Sequence, residues 1–275
     1  MMNWEANYSN QIALITGATG AIGRAIARQM AATPGYEVVL ACRNEDKARQ
    51  VVREIIQASG NQWVRYELVD VSRQASVRAL AERWQGPLHV LVNNAAITPR
   101  SHQETPEGIE LQFATNVLGY FWMIEFFGEI LRHSAPARVV NVASSYAGDL
   151  DLSDLQFKRR RYDNNTAYRQ SKQANRMLTV AQAERLKAAG VVVNACHPGG
   201  VNSALSNSLG FGGSESPDKG ASTPVWLATD PTGQQQTGKY FVDRREVRCR
   251  FGEDKAGVEA LYQLCLTTAP AQPSA

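Results

Sequence analysis

Short apolar runs alternate along this chain with stretches whose apolar positions recur every third or fourth residue. Runs of that kind make strands buried on both faces, and the periodic stretches make the helices that cover them. The pattern predicts strands over 12–16, 37–41, 64–69, 89–93, 138–143, 191–195 and 240–242. Helices are predicted between them over 21–32, 46–59, 76–84, 106–131 and 166–189, with a shorter one over 219–229. Strand–helix alternation with right-handed crossovers gives an α/β fold, a doubly wound Rossmann-type sheet of about seven parallel strands. No repeat or interdomain linker interrupts it, so residues 11–265 are expected to form a single domain. A polar arm over 1–10 is expected to precede it, and a flexible tail over 266–275 to follow.

Composition narrows the function. The chain has 275 residues, 44% hydrophobic and 20% charged, ordinary for one globular domain. A net charge of +3 is too small to argue for nucleic acid or an anionic membrane as partner. Cys42, Cys196, Cys249 and Cys265 lie far apart, which predicts neither a metal site nor a disulfide framework and fits a reducing cytoplasm. No apolar run approaches the roughly 18–20 residues that span a bilayer, and the first residues lack the apolar core of a signal peptide.

The first strand runs directly into Gly17-Ala18-Thr19-Gly20-Ala21-Ile22-Gly23 and then into a helix. Glycines there let the backbone approach a pyrophosphate lying on the positive helix N-terminus. At the end of the second strand an acid would bind the ribose hydroxyls of NAD. This chain has Arg43 and Asn44 instead, and an arginine pairs with a 2′-phosphate, so NADP(H) is expected over NAD(H). Arg24 is a candidate second cation.

Tyr168 and Lys172 lie one turn apart on a predicted helix, downstream of Ser144. A nearby ammonium favours phenolate and lowers the pKa of the phenol, so the pair makes a proton donor. A tyrosine and a lysine at this spacing also occur on ordinary helix surfaces. The glycine segment and Ser144 tip the reading towards chemistry.

Taken in order, the glycine segment, Asp70-Val71, Asn93-Asn94-Ala95-Ala96, Asn116, Ser144, Tyr168 with Lys172, and His197-Pro198-Gly199-Gly200 resemble the short-chain dehydrogenase/reductase family over nearly the whole chain. Ala41-Cys42-Arg43-Asn44, Thr105-Pro106-Glu107-Gly108 and Thr115-Asn116-Val117-Leu118-Gly119 are similar to its retinol-dehydrogenase-like subgroup, which includes the WW-domain oxidoreductase relatives. Two departures stand out: Gly20 replaces the family's glycine at position 21, and Ala96 stands where the family has glycine. Altered phosphate contacts, rather than lost binding, are expected from the first.

The resemblance implies hydride transfer between nicotinamide and an apolar ketone, aldehyde or alcohol. Tyr168 would be the acid or base, and Lys172 would lower its pKa and hold the nicotinamide ribose. Ser144, favoured over Ser145 by its spacing from Asn141, would bind the reacting oxygen, and Asn116 would help anchor a water relay to the lysine. It also implies that Asp70 and Val71 meet the adenine, that Asn93 and Ala95 line the end of the fourth strand, and that Pro198, Gly199, Val201 and Ser203 contact the nicotinamide end. Segments 97–105, 146–162 and 202–216 should shape the substrate pocket, with a lid over about 202–220. Tyr146, Leu205, Leu209 and Phe211 would form its apolar wall. The run Lys158-Arg159-Arg160-Arg161 is expected to be a solvated loop rather than a cationic patch. The helices over 106–131 and 166–189 resemble the family's dimer surface, implying a homodimer or homotetramer. Two alternatives compete: an epimerase- or dehydratase-like enzyme, suggested by the glycine spacing, and a dinucleotide-binding regulatory or interaction protein without turnover.

Overall fold

Eight strands form one sheet in the order β3-β2-β1-β4-β5-β6-β7-β8, seen in a computed structural model that describes residues 10–268. The arm expected over 1–10 falls outside the described residues except for Asn10, and the tail does so from residue 269 onward. The strands are β1 (Gln11–Thr16), β2 (Tyr36–Cys42), β3 (Val64–Leu68), β4 (Val90–Asn93), β5 (Ala137–Val142), β6 (Val191–His197) and β7 (Tyr240–Val242), all paired in parallel. To these the structure adds β8 (Arg245–Glu246), antiparallel to β7. Asp243 and Arg244, both at positive φ, make the hairpin turn. Asp-Arg is not a pair that advertises such a turn, so the periodicity ended the sheet one strand early.

Helices cover both faces. The inward positions of alternate strand residues feed two apolar clusters, one around Leu14, Leu91 and Phe121, the other around Ile15, Val38 and Ile26. The chain crosses from the β3 edge back to β4 on the far side of β1. That topological switch opens a crevice above the carboxyl ends of β1 and β4, where open α/β sheets bind ligands.

Two helical segments differ from expectation. The stretch predicted over 106–131 starts only at Leu111, because Glu110 caps it: its carboxylate accepts from the N–H groups of Gln112 (2.8 Å) and Phe113 (2.6 Å). Its Ala114–Leu118 turn is π-helical and carries Asn116, and such turns recur at functional sites. The helix Lys255–Thr267 was not expected, although Val258, Leu261, Tyr262 and Cys265 recur along its buried face. It runs through what the sequence reads as the start of the tail. The helix Asn164–Leu186, capped by Asp163, carries Tyr168 and Lys172 and packs along β6.

Candidate active site

Above β1, β2 and β4 opens a cavity of about 450 Å³. Of the residues singled out for a dinucleotide, Gly17, Thr19, Gly20, Ala21, Ile22, Gly23, Arg43, Asn44, Asp70, Val71, Ala95 and Ser203 line it. Gly17 is at φ +64°, and a Cβ there would come within 2.8 Å of Ala95 Cα. A Cβ on Gly23 would meet Gly17 O at 2.3 Å and Asn94 Nδ2 at 2.5 Å. Gly20 is looser, with its nearest neighbour at 3.3 Å, so the displaced glycine is not packed as tightly as the two beside it. No side chain caps the helix Ala21–Ala31. Its first amides are therefore free to face an anion, and the residues present fit a pyrophosphate.

Asn94, Ala96, Ile97, Thr115, Cys42 and Lys47 also line this cavity and were not among the residues expected to contact the dinucleotide. Asn94 could have been found: it follows Asn93, and alternate strand residues face opposite ways. Its Nδ2 donates to Thr16 O (2.9 Å), and its N–H donates to Thr16 Oγ1 (2.9 Å). Asn93 itself points into the core, where its amide donates to Asn141 Oδ1 (3.0 Å), and it does not reach the cavity. Arg24 is likewise not a cavity cation, because it is ion-paired with Glu54. Arg43 and Lys47 line the cavity and join none of the ion pairs found among the described residues.

The second group of candidates gathers beyond the end of β5. Ser144 is buried, its hydroxyl accepts from the Tyr146 N–H (3.0 Å), and its side chain faces the Tyr168 phenol and lowers the phenol's pKa. Ser145 is exposed and faces His197 instead, Oγ to Nε2 at 3.2 Å. The structure thus brings Ser144, not Ser145, to the tyrosine. Lys172 Nζ donates to the Val142 carbonyl (2.9 Å) and lies over the rings of Tyr120 (5.4 Å) and Tyr168 (5.6 Å). Asn116 clamps Ile97, accepting from its N–H (2.9 Å) and donating to its carbonyl (3.0 Å). Its Nδ2 also reaches Ser171 Oγ at 3.2 Å, and that hydroxyl donates to Tyr168 O at 2.8 Å. Asn116 therefore ties the end of β4 to the tyrosine helix.

The electrostatics correct one expectation. Lys172 does not lower the Tyr168 pKa in this structure: burial pushes the phenol up to about 12, and only the Ser144 hydrogen bond pulls it back. Burial also drives Lys172 down to about 7. The ammonium sits over the ring face rather than beside the hydroxyl, so desolvation outweighs attraction.

Tyr146 stacks on Tyr168 with ring centroids 6.3 Å apart, and Phe211 meets Tyr146 edge-on at 4.8 Å. The lid segment, with its short helix Ala204–Ser208, is tied across by the Thr98 and Ser208 hydroxyls. Gly210, Gly212 and Gly213 have positive φ in this segment. Leu209 is buried, whereas Leu205 lines the dinucleotide cavity rather than the Tyr168 side. Pro198, Gly199, Val201, Tyr168 and Lys172 are outside that cavity, and Val201 pairs in parallel with Glu215 of the lid segment. Lys158–Arg161 is organised by buried Asp154, whose carboxylate accepts the N–H groups of Lys158, Arg159 and Arg160. No group of metal-ligating side chains occurs among the described residues, nor is any helix there long and apolar enough to cross a membrane.

A Streptomyces antibioticus protein named as a probable oxidoreductase is 36% identical over 274 residues, covering 92% of this chain and 91% of its own. Mouse retinol dehydrogenase 13 is 32% identical over 262 residues, covering 88% of this chain and 78% of its own. The crystal structure of an uncharacterized Mycobacterium paratuberculosis protein superposes with a TM-score of 0.76 at 27% identity, covering 99% of this chain and all of that one. Residues 11–210 match the short chain dehydrogenase family model, and the chain belongs to the short-chain dehydrogenase/reductase family.

Proposed function

We propose that this protein is an NADP(H)-dependent oxidoreductase acting on an apolar ketone or aldehyde, or on the corresponding alcohol. The observation that carries the reading is the convergence of buried Ser144, Tyr168 and Lys172. The Tyr146 N–H holds the Ser144 hydroxyl (3.0 Å) while the Tyr146 ring stacks on Tyr168, and Lys172 lies over the Tyr168 ring one helical turn on. A bound nicotinamide supplies the hydride in reduction and accepts it in oxidation. Ser144 Oγ and Tyr168 Oη would hold the substrate oxygen between them, and Tyr168 would donate its proton there as charge develops. A phenol raised to about 12 is fully protonated at neutral pH, so Tyr168 would act as the acid in reduction and, by microscopic reversibility, its phenolate as the base in oxidation. Lys172, its pKa lowered to about 7 by burial, sits over the Tyr168 ring and would hold the nicotinamide ribose. The apolar class of substrate rests on the Tyr146 ring stacked on Tyr168, with Phe211 edge-on to Tyr146.

Arg43 and Lys47 support NADP over NAD. Both would meet a 2′-phosphate with charge-assisted hydrogen bonds. Gly17–Gly23 would hold the pyrophosphate.

Tyr168→Phe tests the assignment. Turnover of an apolar aldehyde such as decanal should fall by about a thousandfold, while NADPH binding by fluorescence titration stays within twofold of the parent. Unchanged turnover would remove Tyr168 from the chemistry. Lost binding would show a structural lesion instead.

A further inference from the structure

Tyr168, Lys172 and Arg176 stand at one-turn intervals on the helix Asn164–Leu186, and the reading above uses only the first two. Lys172 donates to the carbonyl of Val142, and the Arg176 guanidinium donates to the carbonyl of Ser144, two residues further along the same strand end. The same guanidinium nitrogen contacts the Tyr240 hydroxyl at 2.6 Å. Its carbon lies 3.7 Å over the Tyr240 ring and 5.5 Å from the Phe251 ring centroid. The cation is therefore seated on two aromatic faces, with its donor end set at the serine.

Among the described residues, two side chains alone hold the 144–145 peptide unit. The sheet ladder ends where the Ala143 N–H reaches Cys196 O (2.8 Å). Past that point the Ser144 carbonyl is taken by Arg176, and the Ser145 N–H donates to His197 Nδ1 (3.2 Å). These are the two ends of one peptide group. Fixing its plane fixes ψ of Ser144, and with it the direction from which Oγ reaches Tyr168. Because Nδ1 accepts here, the His197 ring proton is on Nε2, which faces Ser145 Oγ. Burial and the Arg176 charge both hold His197 in that neutral form.

We propose that Arg176, with His197 at the other end of the 144–145 peptide, is a positioning residue that aims the Ser144 hydroxyl at Tyr168. The inference rests on the reading of Ser144 as the group that binds the reacting oxygen, and its tests separate the two.

The first test needs no substrate. Hydrogen exchange of the Tyr146 amide, which bonds Ser144 Oγ, should quicken about tenfold in Arg176→Met, with the exchange of strands β1 and β4 unchanged. The second is a double-mutant cycle on NADPH-dependent reduction of decanal. Arg176→Met should lower kcat ten- to fiftyfold with NADPH affinity within twofold, and Arg176→Lys should recover most of the loss. In a Ser144→Ala background the Arg176→Met effect should vanish, because the hydroxyl it aims is gone. Full persistence of that effect, or unaltered exchange at Tyr146, overturns the proposal. If Ser144→Ala turns over normally while exchange at Tyr146 still quickens, the role of Ser144 falls and the clamp stands. Should Arg176→Met fail to fold, the Lys variant runs the same exchange and cycle, with a smaller expected effect in each.

Discussion

The dinucleotide cradle and the Tyr168 site occupy neighbouring strand ends of one sheet and are built in opposite ways. The cradle is backbone from one contiguous turn, Gly17 to Gly23, which needs only the absence of side chains and a free helix N-terminus. The Tyr168 site is a set of buried side chains gathered from the ends of β5 and β6 and from two helices, with the Tyr146 ring stacked on Tyr168. A backbone cradle works by shape, so local substitutions test it. A buried constellation works by desolvation, which belongs to the whole fold.

The sharpest break in the cradle is at Gly23. A methyl group there would press within 2.3 Å of a main-chain oxygen, whereas at Gly20 it would stand at 3.3 Å. Gly23→Ala should cost about 2 kcal/mol of stability through overpacking, and NADPH binding should be lost or reduced about a hundredfold. Gly20→Ala should bind within about threefold of the parent, since only the phosphate approach narrows. Isothermal titration and denaturant unfolding on both variants check this. Equal losses at both sites would mean that ligand contact, not backbone packing, governs the turn.

A smaller effect is expected from charge at the cradle's rim. Arg43→Ala should weaken NADPH by about ten- to a hundredfold, the worth of one or two charge-assisted bonds, and leave NADH nearly unchanged. Fluorescence titration of both nucleotides decides it. If NADPH is unaffected, Arg43 is a solvated surface arginine and the 2′-phosphate preference is withdrawn.

How much of this was legible beforehand follows the same division. The seven parallel strands and the glycine turn could be read because apolar runs and local spacing encode them. So could the gathering of Ser144, Tyr168 and Lys172. The hairpin to β8 could not, since Asp243 and Arg244 adopt positive φ without the glycine or asparagine that signals it. Arg24 looked like a cavity cation because its partner Glu54 comes from the next helix. The electrostatics of Tyr168 were read with the wrong sign. Spacing places an ammonium one turn away, but only the fold shows that it faces the ring and that both groups are buried. Arg176 is one of 29 basic residues in the sequence, and its partner at the Ser144 carbonyl appears only in three dimensions.

The subtlest consequence is a pH dependence of stability centred on Lys172. Its pKa falls from the ordinary 10.5 to about 7 on folding, through burial. Between those values the unfolded chain binds more protons than the folded one, so this group makes stability rise with pH across the window from about 7 to 10.5. Below 7 the cost of burying the ammonium is present in full; above 10.5 it is absent. Lys172→Met removes the charge and leaves the Val142 carbonyl with the Tyr120 hydroxyl, 3.2 Å away. The variant should therefore be more stable than the parent at pH 6, with an advantage that shrinks steadily towards pH 10. Tyr168 leaves that window largely undisturbed, because its own shift upward from 10 acts at higher pH. Urea unfolding of both proteins at pH 6, 7, 8, 9 and 10 gives the difference directly, with other titrating groups cancelling. An advantage that stays flat or grows with pH would mean that Lys172 keeps its proton in the folded site. Tyr168 would then have a full positive charge beside it at neutral pH, and the site would be electrostatically closer to the one expected from helical spacing alone.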